Sequence, residues 1–346
     1  MVKKILAAMS GGVDSAAACI LLQRQGITVG GGTMLLRPGG EEEAQMAADA
    51  AAQLGLIFHL FCWQEEFLQN VIEPFTRVYQ QGGTPNPCIF CNRTMKFGRF
   101  LDAALELGYD GIATGHYAQV RFDAGSGRYL LLCAQDGAKD QTYMLYSLSQ
   151  TQLARTCFPL GSMTKQEVRA LAAEAGLHVA AKHDSQDICF VPDGDYMAYL
   201  RAHGLQPQPG HFRTLDGRDL GPHKGMEAYT LGQRRGLEIA AGERIYVVRK
   251  AGADVILGPQ EALFSRTVFV GEINLIALAA LRQPMRLAAK LRYTPKTAPC
   301  TAYPEEGGLR LEFDEPQRAP TPGQAAVLYD GPVVIGGGTI TGVGRA

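Results

Sequence analysis

The sequence has no long apolar run, no secretion signal and almost no net charge, and each absence excludes a class of protein. No apolar window of about 18 or more residues occurs, so we expect no membrane-spanning helix. The amino terminus, MVKKILAAMSGG, has too short an apolar part for a signal peptide and lacks a cleavage signature. The formal net charge of −1 argues against a protein held to nucleic acid by its overall charge, although it leaves room for a local basic face.

Cysteine is present, but not in the pattern of a secreted disulfide scaffold. Eight cysteines are scattered over 346 residues, of which 46% are apolar and 19% charged, as in soluble globular proteins. In a cytosolic chain, closely spaced cysteines indicate metal binding or catalysis, and we expect a cytoplasmic location and no membrane partner. Five cysteines lie in apolar runs and are expected to be buried and inert: Cys19, Cys62, Cys133, Cys157 and Cys300.

The first 200 residues alternate between strand and helix patterns. Predicted strands are 3–9, 27–35, 57–63 and 110–118, and predicted helices are 16–26, 41–55, 65–82 and 95–108, with Pro74 a candidate kink. This alternation predicts an α/β fold with a doubly wound parallel sheet over 1–204. Turn-rich sequence and short strand candidates then predict a β-rich central module over 205–278 and a small β-barrel over 279–346.

SGGVDS, at 10–15, stands between the first predicted strand and the first helix, where backbone N–H groups can bind an anion. The lysine of the GxxxxGK[ST] phosphate loop is missing, so this is a Ser- and Gly-rich loop of another kind, similar to that of the ATP pyrophosphatases. Asp14 is too acidic to face a phosphate directly, so we expect it to act through Mg²⁺. The glycine runs at 30–32 and 336–338 lack this context and are interpreted as turns.

The single Cys-x-x-Cys, in NPCIFCN at 86–92, admits a zinc site, a redox pair, an iron–sulfur ligand or a sulfur carrier. A structural zinc site usually needs four ligands, and no second pair or H-x₃₋₅-H follows. Asn86-Pro87 indicates a rigid loop rather than the helix start of a thioredoxin-type pair. Cys189, in HDSQDICF, is the remaining partner candidate for Cys88 and Cys91.

Together these stretches resemble the tRNA-specific 2-thiouridylases, the MnmA/TrmU family of ATP pyrophosphatases. The resemblance spans nearly the whole chain and rests on motifs in the family's order: SGGVDS, TPNPCIFCNRTMKFG, GIATGHYA, KDQTYMLYSL, HDSQDICF, YTLGQRRGL, LRYTPK and TPGQAAVLYDG. It implies that ATP adenylates the 2-oxygen of the wobble uridine of tRNA and that sulfur then displaces AMP.

The resemblance also implies roles for particular residues. ATP would be held by Ala8, Met9, Ser10, Gly11, Gly12, Val13, Asp14 and Ser15, with Met34 and Gly115 against the adenosine. Cys91 would be the nucleophile, and Cys189 would carry a persulfide received from a protein sulfur donor. A Cys91–Cys189 disulfide would remain after transfer and would have to be reduced.

RNA contacts are implied in three places. Asn86, Pro87 and Cys88 would contact the flipped-out target base. His116, Lys139, Asp140 and Gln141 would touch the RNA nearby, and Arg292, Tyr293 and Gln324 would do so from the barrel. The basic stretch 282–296, with Arg282, Arg286, Lys290, Arg292 and Lys296, is therefore interpreted as RNA-facing rather than as a solvated strand face.

Two departures from the family pattern keep alternatives open. Position 88 is Cys where the family form has Asp, so Cys88, Cys91 and Cys189 could instead hold a [4Fe–4S] cluster, with the persulfide relay favoured. Asp187 stands where that form has Gly and would raise the pKa of the Cys189 thiol if the two were close. The rival functions are another ATP pyrophosphatase, a tRNA thiolase acting on a different nucleotide, a non-catalytic RNA-binding protein and, least favoured, a structural zinc protein.

Overall fold

The computed structural model describes residues 4–176, 188–191, 194–239, 244–294 and 296–344. Within them the strands are β1 Lys4–Ala8, β2 Thr28–Leu35, β3 Phe58–Cys62, β4 Gly111–Ala113, β5 Gln119–Asp123, β6 Arg128–Leu132, β7 Thr156–Cys157, β8 Gly210–Thr214, β9 Asp219–His223, β10 Tyr246–Ala251, β11 Asp254–Gly258, β12 Phe264–Leu275, β13 Met285–Lys290, β14 Ala298–Glu305, β15 Gly308–Arg318, β16 Ala325–Asp330 and β17 Val333–Val343. The α-helices are α1 Val13–Arg24, α2 Glu41–Gln53, α3 Gln64–Phe67, α4 Glu73–Gln80, α5 Pro87–Cys91, α6 Phe100–Glu106, α7 Gln150–Ala154, α8 Lys165–Glu174 and α9 Tyr196–Ala202.

The first domain contains a parallel sheet in the order β3-β2-β1-β4-β7, which confirms the predicted fold class. β1 is central, and Ala7 lies opposite Ala113 of β4. The loops that leave the carboxyl ends of β1 and β4 therefore run side by side, at the edge where ligands bind in such sheets.

Both glycine runs lie inside strands, so their interpretation as turns is wrong. Residues 30–32 belong to β2 and residues 336–338 to β17. A Cβ at Gly31 would come within 2.6 Å of the Met9 sulfur, and one at Gly336 within 2.2 Å of the Asn274 carbonyl oxygen. These glycines are present because neighbouring groups approach the strands too closely for a side chain.

The predicted helix over 65–82 contains a π-helical turn, Leu68–Ile72, directly before α4. Pro74 stands near the start of α4 and lacks the N–H that a continuous α-helix would use. The missing donor accounts for the local change from α-helical to π-helical hydrogen bonding. A second π-helical segment, Asn92–Arg99, joins α5 to α6.

The central module is a four-stranded sheet in the order β10-β11-β8-β9. The barrel follows as β12-β15-β14-β13-β16-β17 and closes through pairing of β12 with β17. The predicted bounds assign residues 264–275 to the central module, whereas their pairing places them in the barrel sheet. No sequence signal separates a strand of one sheet from a strand of the next when only a short loop joins them.

The barrel packs directly on the first domain. The hairpin β5–β6 of that domain extends the barrel sheet through β17, and the Tyr143 hydroxyl donates to the Ala325 carbonyl at 3.0 Å. Asn274 of β12 donates to the backbone carbonyls of Tyr146 and Leu148. Among the described residues, no helix has both the length and the apolar character needed to cross a membrane.

Candidate functional site

The 10–15 loop connects β1 to α1, and the hydroxyl of Ser15 joins its two ends through hydrogen bonds. The Ser15 Oγ accepts from the Ser10 backbone N–H at 3.3 Å and donates to the Gly12 carbonyl at 3.0 Å. Gly12 caps α1 without a side-chain hydrogen bond, so the first N–H groups of this 12-residue helix remain available to an anion. The loop therefore has the features of a phosphate site predicted from the sequence.

Two glycines allow the loop to pack against its neighbours. Gly11 has φ of +67°, and a Cβ there would lie 2.7 Å from the Met46 Cβ. Gly115, in the loop after β4, would bring a Cβ within 2.9 Å of the backbone of Asp14 and Ser15. The absence of a side chain at Gly115 therefore allows this loop to pack directly against the start of α1.

Replacing Gly115 with alanine is expected to weaken ATP binding at least about tenfold, because the added methyl group must displace the backbone at Asp14 and overpacking of this kind costs about 1–3 kcal/mol. Equilibrium binding of ATP measures the effect. The matched control is Gly137→Ala, where a Cβ meets nothing within 4 Å. Equal affinities for the two variants would show that Gly115 does not support the loop.

Asp14 makes contacts that the sequence gave no reason to expect. Its carboxylate accepts from the Lys165 Nζ at 2.8 and 2.9 Å and from the Tyr117 hydroxyl at 2.9 Å. Lys165 is the first residue of α8, and Thr164 caps that helix through a reciprocal bond with Glu167. The capping pattern was readable from the sequence, but the pairing across 151 residues was not.

A cleft of about 900 Å³ opens at the 10–15 loop. Of the residues predicted for the site, these line it: Met9, Ser10, Gly12, Val13, Asp14, Met34, Lys139, Gln141, Cys189 and Tyr293. Lys96 and Lys165 also line it and were not predicted. Most of the predicted nucleotide residues and one predicted sulfur carrier therefore share one cavity, whereas Ala8, Gly11, Ser15, Gly115 and Cys91 do not line it.

The Cys-x-x-Cys stretch is helical, so its interpretation as a loop is wrong. Asn86 is the N-cap of α5, its side-chain oxygen accepts from the Cys88 N–H at 3.0 Å, and Pro87 is the first helical residue. Asparagine is a favoured N-cap, and proline suits the first turn because no N–H is needed there. Met144 anchors this end of the helix, since its sulfur accepts from the Asn86 amide at 3.2 Å.

The three candidate thiols differ in exposure. Cys91 is buried, whereas Cys88 and Cys189 are exposed. Cys189 is positioned by its neighbour Phe190, which is 3% exposed. The ring centroid of Phe190 lies 5.5 Å from that of Phe67 and 5.3 Å from that of Tyr199. The segment 177–187 that precedes this region, including Asp187, lies outside the described residues, so the expectation for Asp187 stays untested.

The thiols lie near enough to affect one another's ionisation, and Lys96 is the cation that faces them. Burial raises the pKa of Cys91 to about 12. The nearby Cys189 and Cys88 also raise this pKa, whereas the Lys96 ammonium lowers it. Desolvation likewise raises the pKa of Cys88, again opposed by Lys96. Cys91 is therefore protonated at neutral pH in this state, and Lys96 is the group that favours its thiolate.

Among the described residues, no three or more His, Cys, Asp or Glu side chains are arranged to hold a metal ion. That part of the chain includes Cys88, Cys91 and Cys189, and all three are free thiols. The choice between a persulfide relay and a [4Fe–4S] cluster on these three thiols stays a prediction.

Two predicted RNA contacts are engaged within the protein. The Asp140 carboxylate is buried, pairs with Lys290 at 3.2 Å and accepts from the Thr142 hydroxyl and the Ala134 N–H. His116 bonds through Nδ1 to the Thr114 hydroxyl at 2.6 Å, and burial with nearby Lys96 holds the pKa of His116 well below its usual value. The Asp140 carboxylate is therefore turned into the protein, whereas His116 is half-buried with its Nδ1 engaged, and its contact with RNA stays a prediction.

The other predicted RNA contacts surround the cleft or α5. Gln141 exchanges hydrogen bonds with the Tyr117 backbone, and Tyr293, 51% exposed, donates to the Asp140 carbonyl at 3.3 Å. Arg292 donates to backbone carbonyls of the barrel, and Gln324 donates to the Thr84 carbonyl at 2.6 Å, just before α5.

The basic stretch 282–296 is only partly available to a ligand, and its interpretation as RNA-facing stays a prediction. Lys290 is buried against Asp140, and Arg286 is paired with Asp314. Lys290 is buried because it packs against Asp140 of the first domain, whereas Arg282, Arg286, Arg292 and Lys296 are exposed. Of the cysteines expected to be inert, Cys19 and Cys300 are buried, Cys133 and Cys157 are half-buried, and Cys62 is exposed, contrary to expectation.

Three family models match the chain in succession. Residues 3–193 match the tRNA methyl transferase HUP domain, residues 198–257 the tRNA methyl transferase PRC-barrel domain, and residues 265–340 the aminomethyltransferase beta-barrel domain.

Full-length relatives carry one name, tRNA-specific 2-thiouridylase MnmA. The protein of Acetivibrio thermocellus is 43% identical and covers 98% of this chain and 99% of its own length. That of Pelotomaculum thermopropionicum is 43% identical over 99% of this chain and 98% of its own. That of Moorella thermoacetica is 44% identical over 98% of this chain and 100% of its own.

Proposed function

Because the chain belongs to the family of tRNA-specific 2-thiouridylases, we propose that it uses ATP to replace the 2-oxygen of the wobble uridine of tRNA with sulfur. The chain is thus a tRNA sulfurtransferase. The observation that carries the proposal is the shared cleft, which is lined by the 10–15 loop, by Lys96 and by Cys189. A nucleotide and a sulfur carrier in one cavity suit a reaction that first activates an oxygen and then displaces it.

The descriptions of the family models name methyl transfer, whereas the relatives are named for thiolation. The thiols favour thiolation, because Cys88, Cys91 and Cys189 lie near one another and Cys189 opens into the nucleotide cleft.

We assign the adenylation step to the 10–15 loop. The uridine 2-oxygen would attack the α-phosphorus of ATP and pyrophosphate would leave, with the free N–H groups of α1 and the Lys165 ammonium nearest the phosphates. Two carboxylates line the cleft, Asp14 and Glu43, and the Glu43 Oε2 is buried without a hydrogen-bond partner among the described residues. The Glu43 Oε2 would suit Mg²⁺, which would neutralise charge on the triphosphate, whereas both Asp14 oxygens already accept from Lys165.

We assign the sulfur step to Cys189 and Cys91. The terminal sulfur of a Cys189 persulfide would bond to C2 of the uridine as AMP leaves with the 2-oxygen. The Cys91 thiolate would then attack the Cys189 sulfur and break the S–S bond, which leaves the 2-thio group on the base and a Cys91–Cys189 disulfide. A dithiol reductant restores both thiols, and a protein persulfide donor reloads Cys189.

We keep a cytoplasmic location as part of the proposal, because the cycle needs reduced thiols between turnovers and that compartment maintains them. The remaining predicted contacts belong to the same proposal: Asn86, Pro87 and Cys88 at the target base, and Lys139, Gln141, Arg292, Tyr293 and Gln324 along the RNA. Their placement around α5 and the cleft supports it.

The test is the nucleoside content of tRNA digested after incubation with ATP, Mg²⁺ and a sulfur source. Wild type and Cys88→Asp are compared anaerobically, with and without reconstituted iron. We expect 2-thiouridine from both proteins without iron. Product from iron-loaded wild type alone would replace the relay with a cluster on the three thiols, and a methylated or unchanged uridine would contradict the proposed function.

A further inference from the structure

A second cavity, which we call the junction pocket, lies where the three parts of the protein meet. Its volume is about 1010 Å³. Its lining includes Arg77 of α4, Phe90 of α5, the neighbouring Arg93, Arg249 and Lys250 of β10, and Pro322 of the barrel. It is distinct from the nucleotide cleft, although α5 and the segment after it contribute to its wall.

Lys250 places a buried ammonium at this pocket, and among the described residues it makes no hydrogen bond. Its Nζ is inaccessible to solvent. Its side chain lies against the turn at Gly82, where a Cβ would meet the Lys250 Cδ at 3.4 Å. Burial lowers the pKa of Lys250 to about 8, and the Glu227 carboxylate opposes that shift. A buried ammonium that makes no hydrogen bond is unfavourable in the empty protein, even with a carboxylate nearby, and gains from an added acceptor.

The surrounding charges have the same sign. Arg77, Arg93 and Arg249 are exposed at the pocket, and in the described part of the chain none of them forms an ion pair. The acidic residue of the lining, Glu272, already accepts from the Thr339 hydroxyl at 2.8 Å. The pocket is therefore cationic over most of its rim.

The rest of the wall is apolar. Leu231, Val248, Leu263 and Phe264 contribute aliphatic and aromatic surface, and Phe90 adds a half-buried ring from the helix that carries Cys88 and Cys91. Cations beside an aromatic and apolar wall suit a ligand that has both an anionic group and a flat ring, which is the chemistry of a nucleotide within RNA.

We propose that the junction pocket binds a nucleotide of the tRNA, with a phosphodiester at Lys250 and the attached nucleoside against the apolar wall. The inference rests on the proposed function and extends it to a site that no predicted RNA contact includes. Gln324, whose neighbours Pro322 and Gly323 line the pocket, continues the surface toward α5. Binding there would hold the RNA on the far side of the helix that presents the thiols.

The test compares Lys250→Met with Lys224→Met in the full chain. Lys224 is an exposed lysine of the same module, paired with Glu238 at 3.0 Å outside the pocket. We expect Lys250→Met to raise the Kd for tRNA about tenfold, the loss of one charged hydrogen bond, and to reduce the salt slope of binding by about one. Lys224→Met is expected to match wild type, and Lys250→Arg to keep most of the slope.

A second readout separates phosphate binding from a structural role. At pH 8.5 Lys250 is partly deprotonated in the free protein, where Glu227, Glu272 and the three arginines already act on its pKa. A bound phosphate would raise that pKa further. Binding of tRNA to wild type should therefore take up protons, measured by calorimetry in buffers of different ionisation enthalpy, and binding to Lys250→Met should not.

An unchanged Kd and salt slope in Lys250→Met would overturn the inference. So would weaker binding without a change in slope or proton uptake, since that pattern belongs to misplacement of the module. Weaker capture of a persulfide donor with normal tRNA binding would assign the pocket to a protein instead. The wild-type arm, assayed for 2-thiouridine, tests the proposed function separately, because a lack of product there would overturn that function whatever the variants do.

Discussion

Replacing Cys189 with serine is expected to abolish 2-thiouridine formation, by about a thousandfold or more, while tRNA-dependent release of pyrophosphate from ATP continues. The serine hydroxyl cannot carry a sulfane sulfur. The 10–15 loop and Lys165, which we assign to adenylation, do not depend on the Cys189 thiol for their contacts. Pyrophosphate release and nucleoside analysis of the same reaction measure the two steps.

Cys62→Ser is the matched control, because Cys62 is also an exposed thiol of the first domain but does not line the cleft. It should retain both steps. Thiolation by Cys189→Ser at the wild-type rate would show that sulfur reaches the base by a route that bypasses this residue.

Replacing Lys96 with methionine is expected to slow thiolation about tenfold or more at neutral pH and to move the rising limb of the pH–rate profile to higher pH. Burial already raises the pKa of Cys91 to about 12, and Lys96 acts against that shift. Below its pKa a thiol gains thiolate in proportion to pH, so removing the cation lowers the reactive fraction at every pH in that range. The single-turnover rate as a function of pH measures the effect.

Lys96→Arg keeps the charge and should restore most of the rate at neutral pH. Arg99→Met serves as the control on the same helical segment, because Arg99 lies over the Trp63 ring and does not line the cleft. If Lys96→Met lost activity without a change in the shape of the pH profile, Lys96 would act on substrate binding rather than on the thiols.

The fold was largely predictable because the first 200 residues alternate between strand and helix periodicity with helix ends marked by glycine. Gly26 and Gly55 follow α1 and α2 with positive φ, as their positions indicate. The barrel was predictable as a class from its short strands and turns. Its true first strand, β12, was not, because sheet membership depends on pairing with residues of β15 and β17 that are far away in the sequence.

The predictions from local sequence were wrong where one residue pattern is typical of two different local structures. Asn-Pro marks a loop and also the N-cap and first turn of a helix, and α5 uses it in the second way. A triple glycine marks a turn and also a strand that another group approaches closely, as Met9 approaches Gly31. Which alternative holds is decided by tertiary contacts that the local pattern does not contain.

The site was predictable as a set of motifs but not as a network of charges. Ser10, Gly12, Val13 and Asp14 of the loop line one cleft with Cys189. The Lys165 partner of Asp14, the Lys290 partner of Asp140 and the burial of the Lys250 ammonium arise from residues far apart in the chain. Such pairs are brought together by the order of strands in the sheet and by the contacts of the barrel, which no spacing rule in the sequence describes.

The central claim is that Cys189 delivers the sulfur and Cys91 releases it. The most direct measurement is peptide mapping of the protein after a single turnover, started with persulfide on Cys189 and run with ATP and tRNA in the absence of reductant. The account predicts a Cys91–Cys189 disulfide in equal amount to the 2-thiouridine formed. Product with both thiols left free, or with the disulfide on Cys88 in place of Cys91, would contradict it.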